Sequence, residues 1–441
     1  MTALTAQIAA QAVAYDSGAC PDDVQRMAQL CVIDHLGCVI RGAAEPLSQM
    51  LAEELFDGPQ PGEAFLPAKR QSRDLAQWAM LQGATAHAID FDDTFFPGRA
   101  AHAGASVVGS ALTLAPTLGA DGPTLLSAVV AGYETAARVA HLVTDAHYEQ
   151  GFHPTGTVGV FAATAACCRL MALSPAQTEI AMGLAATQAA GLKSTFGTMA
   201  KPFNAGRAAS NGVLAARLAA RGFTANAAGL EADKGYLDLF LGHHAAARSV
   251  DGPERFWILG NAFKLHAACH ALHPLIEAIG RLRAEHGIGP DDVERLEVSA
   301  AALSLKTASI GEPTSGLESK FSFTHAAAVA LAGLDTASDE TFSDAILADE
   351  RIRALRRLTQ VIEAPIEPFG ARVSIETKAG DQLTKEIDLR DLLADLEAVG
   401  AQVEAKFLQN ATPSLGAARA ARTLETILAL SETADISAAF A

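Results

Sequence analysis

The sequence lacks the motifs that mark several common classes of enzyme. Its six cysteines include no Cys-x-x-Cys pair, so the closely spaced thiolates of an iron–sulfur cluster are missing and we expect buried, reduced thiols. It also contains no Gly-x-Ser-x-Gly elbow, no phosphate-binding P-loop and no dinucleotide fingerprint. These absences argue against nucleotide cofactors and against serine hydrolysis.

Basic residues are the scarcer charge: 33 lysines and arginines stand against 50 aspartates and glutamates, a formal net charge of −17. An acidic chain without a basic stripe repels nucleic acid. Although 50% of the residues are hydrophobic, no run reaches the ~18–20 uncharged apolar residues that a membrane span needs. Residues 1–15 also lack the basic start of a signal or transit peptide. We therefore expect a cytoplasmic protein that binds neither nucleic acid nor a membrane.

Apolar side chains recur at helical spacing through most of the chain. One helix has a full set of start signals, because Ser174 can cap it, Pro175 suits its first position and Gln177 completes a capping box. The predicted helices cover about 21–40, 74–89, 105–118, 122–143, 155–172, 175–190, 205–222, 268–286, 319–334 and 340–347.

Polar and apolar side chains alternate in three later stretches, which is typical of half-buried strands. These are 294–299, 371–377 and 383–389, and the last two are joined through Ala379-Gly380-Asp381 as a hairpin. After residue 390 the pattern is helical again. The sequence therefore predicts a mainly α protein, with a large all-helical domain of residues 1–265 plus 395–441 interrupted by a smaller α+β domain of residues 266–394.

Five polar segments interrupt this alanine-rich background. The first segment covers residues 86–106 and contains several ionisable groups. An unpaired buried ion would cost several kcal/mol or more, so these groups either face solvent or have partners. These groups include His87, Asp90, Asp92, Asp93 and His102, and the hydroxyl of Thr94 lies among them in the sequence. In the second, Pro154 favours an extended His153 at the start of a helix, where exposed N–H groups attract anions.

The next two segments add cations and imidazoles. Residues 191–207 join two apolar helices and combine Lys201 and Arg207 with three glycines, which let the backbone approach a ligand closely. Residues 263–274 contain Lys264 and three histidines. These histidines form no His-Glu-x-x-His motif and suggest no clear set of three ligands, so we predict no metal site.

The last segment, residues 319–325, places Lys320 and His325 ahead of another alanine-rich helix. Together the five segments supply carboxylates, imidazoles, ammonium groups and helix N-termini. This set of groups suits a small polycarboxylate and proton transfer at a carbon next to a carboxylate.

Five motifs in these segments occur in one order across most of the chain. They are His-Ala-Ile-Asp-Phe-Asp-Asp-Thr (87–94), Gly-Phe-His-Pro-Thr (151–155), Phe-Gly-Thr-Met-Ala-Lys-Pro-Phe-Asn-Ala-Gly-Arg-Ala-Ala (196–209), Phe-Lys-Leu-His-Ala-Ala-Cys (263–269) and Lys-Phe-Ser-Phe-Thr-His-Ala (320–326). The set resembles the MmgE/PrpD family, which includes 2-methylcitrate dehydratase, cis-aconitate decarboxylase and iminodisuccinate epimerase. The resemblance implies an all-helical domain with an inserted lid domain, a homodimer, and no metal or organic cofactor.

The resemblance also implies roles for single residues. Catalytic candidates are His102, His153, Lys201 and Lys264, to which we add His325, which stands where the family commonly has tyrosine. The change from phenol to imidazole moves the reference pKa from about 10 to about 6.5, so His325 is a candidate base near neutral pH. Candidate substrate-binding residues are Asp90, Asp93, Thr94, Lys201, Arg207 and His266.

The leading hypothesis is a cofactor-independent lyase, a hydro-lyase of the 2-methylcitrate dehydratase type acting on a small di- or tricarboxylate. His102 or His153 moves the proton, while Lys201 and Lys264 hold the carboxylates. An epimerase, with His153 and His325 on opposite faces of one carbon, and a decarboxylase share the same carbanion-like intermediate, so the sequence does not rank them. A non-catalytic polycarboxylate binder on the same scaffold is a further alternative.

Overall fold

The protein folds into two compact units in this computed structural model, which describes residues 3–15, 20–99, 101–241, 252, 255–392 and 395–440. The first unit comprises Met1–Phe263 and Gly400–Ala441, and the second comprises Lys264–Val399. The predicted inserted domain covers residues 266–394, and the second unit of the structure covers Lys264–Val399. The prediction of a mainly α fold is confirmed.

Helices build the first unit, and they bury mostly small apolar residues. Among the described residues of this unit, two short strands, β1 (Thr94–Phe95) and β2 (Asn261–Ala262), pair antiparallel. The helices up to this point of the chain are α1 (Leu4–Ala14), α2 (Asp22–Gly42), α3 (Pro46–Phe56), α4 (Leu75–Ala86), α5 (Ala103–Leu118), α6 (Gly122–Glu149), α7 (Pro154–Thr157), α8 (Gly159–Leu170), α9 (Pro175–Ala186), α10 (Ala200–Ala220) and α11 (Tyr236–Leu241).

The central helices α4, α5, α8 and α10 pack against one another closely. A Cβ at Gly206 of α10 would lie 2.4 Å from the main-chain oxygen of Met80 in α4, and one at Gly83 would lie 2.9 Å from that of Ala105 in α5. These separations are too short for any side chain, so both positions need glycine. The abundance of small residues is therefore what lets the helices that flank the polar segments approach one another.

Helix ends agree with the predictions at some places and differ at others. Ser174 and Gln177 form the predicted capping box of α9. Helix α6 continues past its predicted end at 143, across a break at Thr144 where φ is 58° and ψ is −174°. The single helix predicted over 155–172 is instead two helices, α7 and α8, with Val158 between them in a turn. Pro202 lies in the first turn of α10, a position that proline tolerates, so this helix starts earlier than predicted.

No single helix in the described ranges is long and apolar enough to cross a membrane. The bent pair α2 and α3 reaches the required length and composition only when both helices are taken together, with 86° between them. In this structure α2 is a core helix, and its residues from Met27 to Ile40 are buried.

The second unit is an α+β unit with one four-stranded sheet in the order β4-β3-β5-β6. Strands β3 (Val293–Ala300), β5 (Gly370–Thr377) and β6 (Gln382–Asp388) run antiparallel and include the predicted hairpin. Strand β4 (Thr359–Glu363), which pairs parallel with β3, is not among the predicted elements. The helices of the second unit are α12 (His273–His286), α13 (Ala302–Thr307), α14 (Gly316–Ser319), α15 (Phe323–Ala332), α16 (Asp344–Ala348), α17 (Glu350–Leu358) and α18 (Leu389–Leu392).

The chain returns to the first unit through α19 (Leu396–Leu415), followed by α20 (Ala417–Leu428) and α21 (Ile436–Ala439). Lys406 of α19 is buried, and its Nζ donates hydrogen bonds of 2.6 Å to Asp34 Oδ1 in α2 and to the main-chain oxygen of Phe91. Lys406 therefore links α2 and α19 to the polar segment that follows α4, through the main-chain oxygen of Phe91.

Replacing Lys406 should destabilise the first unit strongly. Lys406→Met leaves Asp34 buried without a counter-charge, and we expect the free energy of unfolding to fall by about 3–5 kcal/mol. Chemical denaturation followed by circular dichroism measures it. The control Arg419→Met removes an exposed ion pair with Glu63 in the same unit and should change the value by about 1 kcal/mol or less. Equal losses in the two variants would contradict this account of the buried pair.

Candidate active site

The segment between α4 and β1 contains three buried carboxylates, each with its own partners. Asp90 has φ of 53°, in the left-handed region that aspartate tolerates better than most residues. Its Oδ1 accepts a hydrogen bond of 2.5 Å from the Nζ of Lys201 in the first turn of α10. Both side chains are buried, at 6% and 9% exposed. The ion pair therefore joins the start of α10 to this segment.

Asp92 contacts two imidazole rings. The Nδ1 of His87 is 2.8 Å from Asp92 Oδ1, and the Nδ1 of His102 is 3.5 Å from Asp92 Oδ2. The ring centres of the two histidines are 4.1 Å apart. Burial alone would raise the pKa of Asp92, but the two imidazoles and their hydrogen bonds hold that pKa well below its usual value. Asp92 is therefore a carboxylate at neutral pH.

Asp93 uses both oxygens for contacts within the protein. The main-chain N–H of Gly104 donates to Oδ1 at 3.0 Å, and the Tyr133 hydroxyl donates to Oδ2 at 2.5 Å. Burial, together with the charges of Asp92 and Asp34, raises the pKa of Asp93 to about 8. These contacts describe a structural role, and the binding of substrate by Asp93 stays a prediction.

His153 lies at the start of α7, beside the first turn of α10. Its Nδ1 is 3.1 Å from the Nδ2 of Asn204. The ring of Phe196 meets the His153 ring edge-on with 5.0 Å between centres, and the Nζ of Lys201 is 5.6 Å from the centre of the same Phe196 ring. The ring of His87 stacks at 6.3 Å from that of His153. His153 and Lys201 therefore belong to the same buried cluster as His87.

Burial keeps the imidazoles of His87 and His153 neutral. It lowers the pKa of His87 to about 3, against the opposing effect of Asp92. It also lowers the pKa of His153 well below its usual value, and the charge of Lys201 acts in the same direction. A neutral imidazole carries one proton, and the hydrogen bond at one nitrogen fixes the state of the other. His87 and His153 therefore act as hydrogen-bonding groups rather than as charges at neutral pH.

Two further predicted residues of the first unit differ in their surroundings. Thr94 is buried in β1, and its Oγ1 has no hydrogen-bond partner among the described residues. An unsatisfied buried hydroxyl close to the carboxylates is a natural contact for a bound ligand. Arg207 lies on α10 with its side chain exposed. Its role in substrate binding stays a prediction.

Lys264 and His266 lie at the start of the second unit. Lys264 is 1% exposed. The Nδ1 of His266 is 2.7 Å from Thr336 Oγ1, and its Nε2 is 3.2 Å from Glu277 Oε1. Both nitrogens of His266 thus have partners within the unit. The roles of Lys264 and His266 rest on the family resemblance alone and stay predictions.

His325 lies in the first turn of α15 and is fully buried. Its Nε2 is 3.4 Å from the main-chain oxygen of Thr341, and burial lowers its pKa to about 4. A histidine with this pKa is neutral near pH 7, as a base must be, but it holds an accepted proton more weakly than a free imidazole. Its role as a base stays a prediction.

Four side chains of the first unit approach one another closely enough to bind a metal ion. Each offers a ligand atom within 4.8 Å of the others, and they are His87, Asp90, Asp92 and His102. Asp90 is already paired with the Lys201 ammonium, and Asp92 with His87. A cation would have to compete with that ammonium, so the arrangement fits an ion pair better than a metal centre.

Several residues of the cluster are absent from the predicted set, namely His87, Asp92, Tyr133 and Asn204. Asn204 follows Lys201 by three positions, a spacing that places both side chains on one face of a helix. That spacing was a usable signal. Tyr133 gives none, because it lies within the apolar middle of α6 and reaches Asp93 only through tertiary packing.

The raised pKa of Asp93 predicts a pH-dependent stability. A carboxyl group with a pKa of about 8 in the folded chain and a reference value of 3.8 binds its proton more tightly when folded. Its contribution to stability is present below the reference value and is lost as the pH rises to about 8. The free energy of unfolding of the wild type minus that of Asp93→Asn should therefore decrease from pH 5 to pH 8. Urea unfolding at several pH values measures this, and a constant difference would contradict the raised pKa.

Comparisons with known proteins agree with the motifs. Among curated relatives, cis-aconitate decarboxylase of Aspergillus terreus is 28% identical over 294 residues, which is 63% of this chain and 59% of the relative. The enzyme of that name from Homo sapiens is 29% identical over 226 residues, 48% of this chain and 46% of the relative. The one from Mus musculus is 26% identical over 331 residues, 70% of this chain and 66% of the relative. The chain thus matches between 46% and 66% of the length of these relatives.

Two family models match the chain in succession. The model of the MmgE/PrpD N-terminal domain matches residues 6–249, and the model of the MmgE/PrpD C-terminal domain matches residues 266–432. The two matches correspond to the two units of the fold and together cover most of the chain. This chain belongs to the MmgE/PrpD family.

Proposed function

We propose that the protein is a lyase that acts on a small di- or tricarboxylate by proton transfer at a carbon next to a carboxylate. The observation that carries this proposal is the buried cluster in which the Lys201 ammonium, paired with Asp90, lies near the neutral imidazole of His153. The cluster offers a cation for a substrate carboxylate and imidazole nitrogen for a proton. Membership of the MmgE/PrpD family supports the proposal.

Lys201 is suited to hold a carboxylate because it already holds one. Its Nζ is fixed against Asp90 Oδ1 at 2.5 Å, so a substrate carboxylate that joins Asp90 there needs little rearrangement of the protein. Charges attract more strongly in a buried site than in water. A fixed cation next to the substrate carboxylate therefore stabilises the negative charge that develops when the neighbouring proton leaves.

The first step is transfer of a proton from the substrate carbon to an imidazole nitrogen of His102 or His153. The electron pair of the broken C–H bond moves onto the adjacent carboxylate, where Lys201 offsets its charge. In dehydration the C–O bond then breaks, and the accepted proton leaves with the hydroxide as water. If His102 accepts the proton, its ring is an imidazolium until water leaves. Asp92, close to the Nδ1 of His102, stabilises that charge.

Decarboxylation is the second candidate reaction, and the curated relatives favour it because they are named cis-aconitate decarboxylases. In that reaction the bond between a carbon and its carboxylate breaks, carbon dioxide leaves, and a protonated imidazole supplies the proton that replaces it. The same groups serve both reactions, which differ in the bond that breaks. The substrate and the bond have to be identified by experiment.

A panel of di- and tricarboxylates in heavy water, followed by NMR, tests the proposal. Loss of water from citrate-like acids, or hydration of the matching alkenes, supports a dehydratase, and release of carbon dioxide supports a decarboxylase. If deuterium enters the carbon next to the carboxylate with inversion of its configuration, and neither water nor carbon dioxide is lost, the enzyme is an isomerase instead. Tight binding of a polycarboxylate without exchange or turnover over a wide pH range would contradict an enzymatic role.

Loss of the Lys201 charge should slow the reaction. With Lys201→Met we expect kcat/KM to fall at least about tenfold, which is roughly 1.4 kcal/mol of transition-state stabilisation. Arg221→Met removes an exposed cation just after the same helix and should leave kcat/KM nearly unchanged. Melting curves of both variants show whether they are folded. Unchanged kinetics in Lys201→Met would remove this residue from the mechanism.

Chelation of divalent metals should leave the reaction rate unchanged, because Lys201 already occupies the carboxylate of Asp90. The assay compares protein dialysed against EDTA with untreated protein and with protein given single divalent ions. Metal content measured by mass spectrometry accompanies the rates. Activity that is lost on chelation and restored by one ion would instead place a metal among His87, Asp90, Asp92 and His102.

A further inference from the structure

The hydrogen bonds of His102 fix which of its nitrogens carries the proton. Its Nδ1 lies 2.7 Å from the main-chain oxygen of Asp93. A carbonyl oxygen only accepts hydrogen bonds, so Nδ1 is the donor and carries the proton. In the neutral ring the Nε2 is then unprotonated and has a lone pair. The Asp92 carboxylate, 3.5 Å from the same Nδ1, favours this tautomer.

At His153 the arrangement is reversed. Its Nδ1 lies 3.1 Å from the Nδ2 of Asn204. An amide NH₂ group only donates, so the Nδ1 of His153 accepts, and the single proton of the neutral ring is on Nε2. The Nε2–H makes no hydrogen bond within the part of the chain that the structure describes, and it is the group that His153 offers to a ligand.

This tautomer depends on the orientation of the Asn204 amide, which Thr195 determines. The Oγ1 of Thr195 donates its hydrogen to the main-chain oxygen of Leu192 at 2.7 Å. It can therefore only accept from Asn204, whose Nδ2 is 3.4 Å away. The opposite amide orientation would place two oxygens together with no hydrogen between them. The NH₂ group of Asn204 thus faces both Thr195 and His153.

We propose that His102 is the proton acceptor of the reaction, that His153 is a neutral hydrogen-bond donor to the substrate, and that Asn204 is the positioning residue that keeps His153 a donor. This assignment rests on the proposed function and deepens it. The substrate proton moves to His102 Nε2, and the electron pair moves onto the substrate carboxylate. The Nε2–H of His153 then strengthens its hydrogen bond to that carboxylate and keeps its own proton.

The environment of His153 suits a donor and not a base. Burial and the charge of Lys201 lower its pKa well below the usual value, so the ring has little affinity for the proton that a base would have to accept. A neutral imidazole whose pKa is lowered in this way can instead polarise an oxygen through its N–H group. His102 has the Asp92 carboxylate on its far side, which stabilises the ring once it is protonated.

The two tautomers can be read by NMR without any turnover. In protein labelled with ¹⁵N in histidine, long-range proton–nitrogen correlations distinguish a ring protonated at Nδ1 from one protonated at Nε2. The variants His102→Gln and His153→Gln identify the two sets of signals by their loss. We expect Nδ1–H at His102 and Nε2–H at His153. A His153 ring that is protonated at Nδ1, or at both nitrogens, near neutral pH would overturn the assignment.

Variants of Asn204 test its positioning role. Asn204→Asp is nearly isosteric but presents only acceptors, so it should move the His153 proton to Nδ1 and lower kcat at least about tenfold. Asn204→Leu removes the hydrogen bond without imposing the other tautomer and should lower kcat less, with KM little changed in either variant. Circular dichroism checks folding. A wild-type kcat in Asn204→Asp, with its His153 proton moved to Nδ1, would overturn the role.

Deuterium exchange at the substrate carbon separates the two histidines. Glutamine retains an N–H donor, so exchange should survive at a reduced rate in His153→Gln and be abolished in His102→Gln. The opposite result would overturn the division of roles. If no carboxylate in the panel reacts while the tautomers are as expected, the proposed function fails and the assignment of the tautomers stands.

Discussion

Burial of carboxylate charge is the constraint on which the first unit depends. An unpaired carboxylate in its interior would cost several kcal/mol, so each one needs a partner that arrives from elsewhere in the chain. Lys406 comes from α19 and Lys201 from α10, while His87 and His102 flank Asp92. Asp93, whose pKa is raised to about 8, instead keeps its proton near neutral pH and accepts a hydrogen bond from Tyr133 of α6. The requirement that brings these helices to one segment also assembles the candidate site, which is why fold and site are built by the same contacts.

Close helix packing makes this arrangement possible. Alanine and glycine at the contacts between α4, α5 and α10 leave no space for bulky side chains, as the short distances around Gly206 and Gly83 show. Polar side chains that reach the interior between these helices therefore have little conformational freedom and contact defined partners. The contacts at Asp90 and Asp92, 2.5 and 2.8 Å long, are direct hydrogen bonds that fix the positions of these side chains.

Local sequence patterns predict those features of the fold that depend on neighbouring residues. The capping box at Ser174 and the hairpin of β5 and β6 depend on neighbouring residues, and the structure contains both. Strand β4 could not be identified, because Thr359–Glu363 follows a helix directly and its residues are half-buried or exposed, without an apolar alternation. The contact of Tyr133 with Asp93 joins residues 40 positions apart, and no local pattern around Tyr133 points to it.

The same limit explains why the sequence left His102 and His153 interchangeable as the group that moves the proton. Each is a histidine next to small residues in a polar segment, and composition does not distinguish them. Their difference lies in the group bound at Nδ1, a main-chain oxygen beside a carboxylate in one case and an amide NH₂ near a cation in the other. Carboxylate and carbonyl oxygens stabilise a protonated ring, whereas an N–H donor and a positive charge disfavour it. Two identical side chains in one buried cluster thereby acquire opposite chemistry, and the difference arises from neighbours that only the folded chain brings to them.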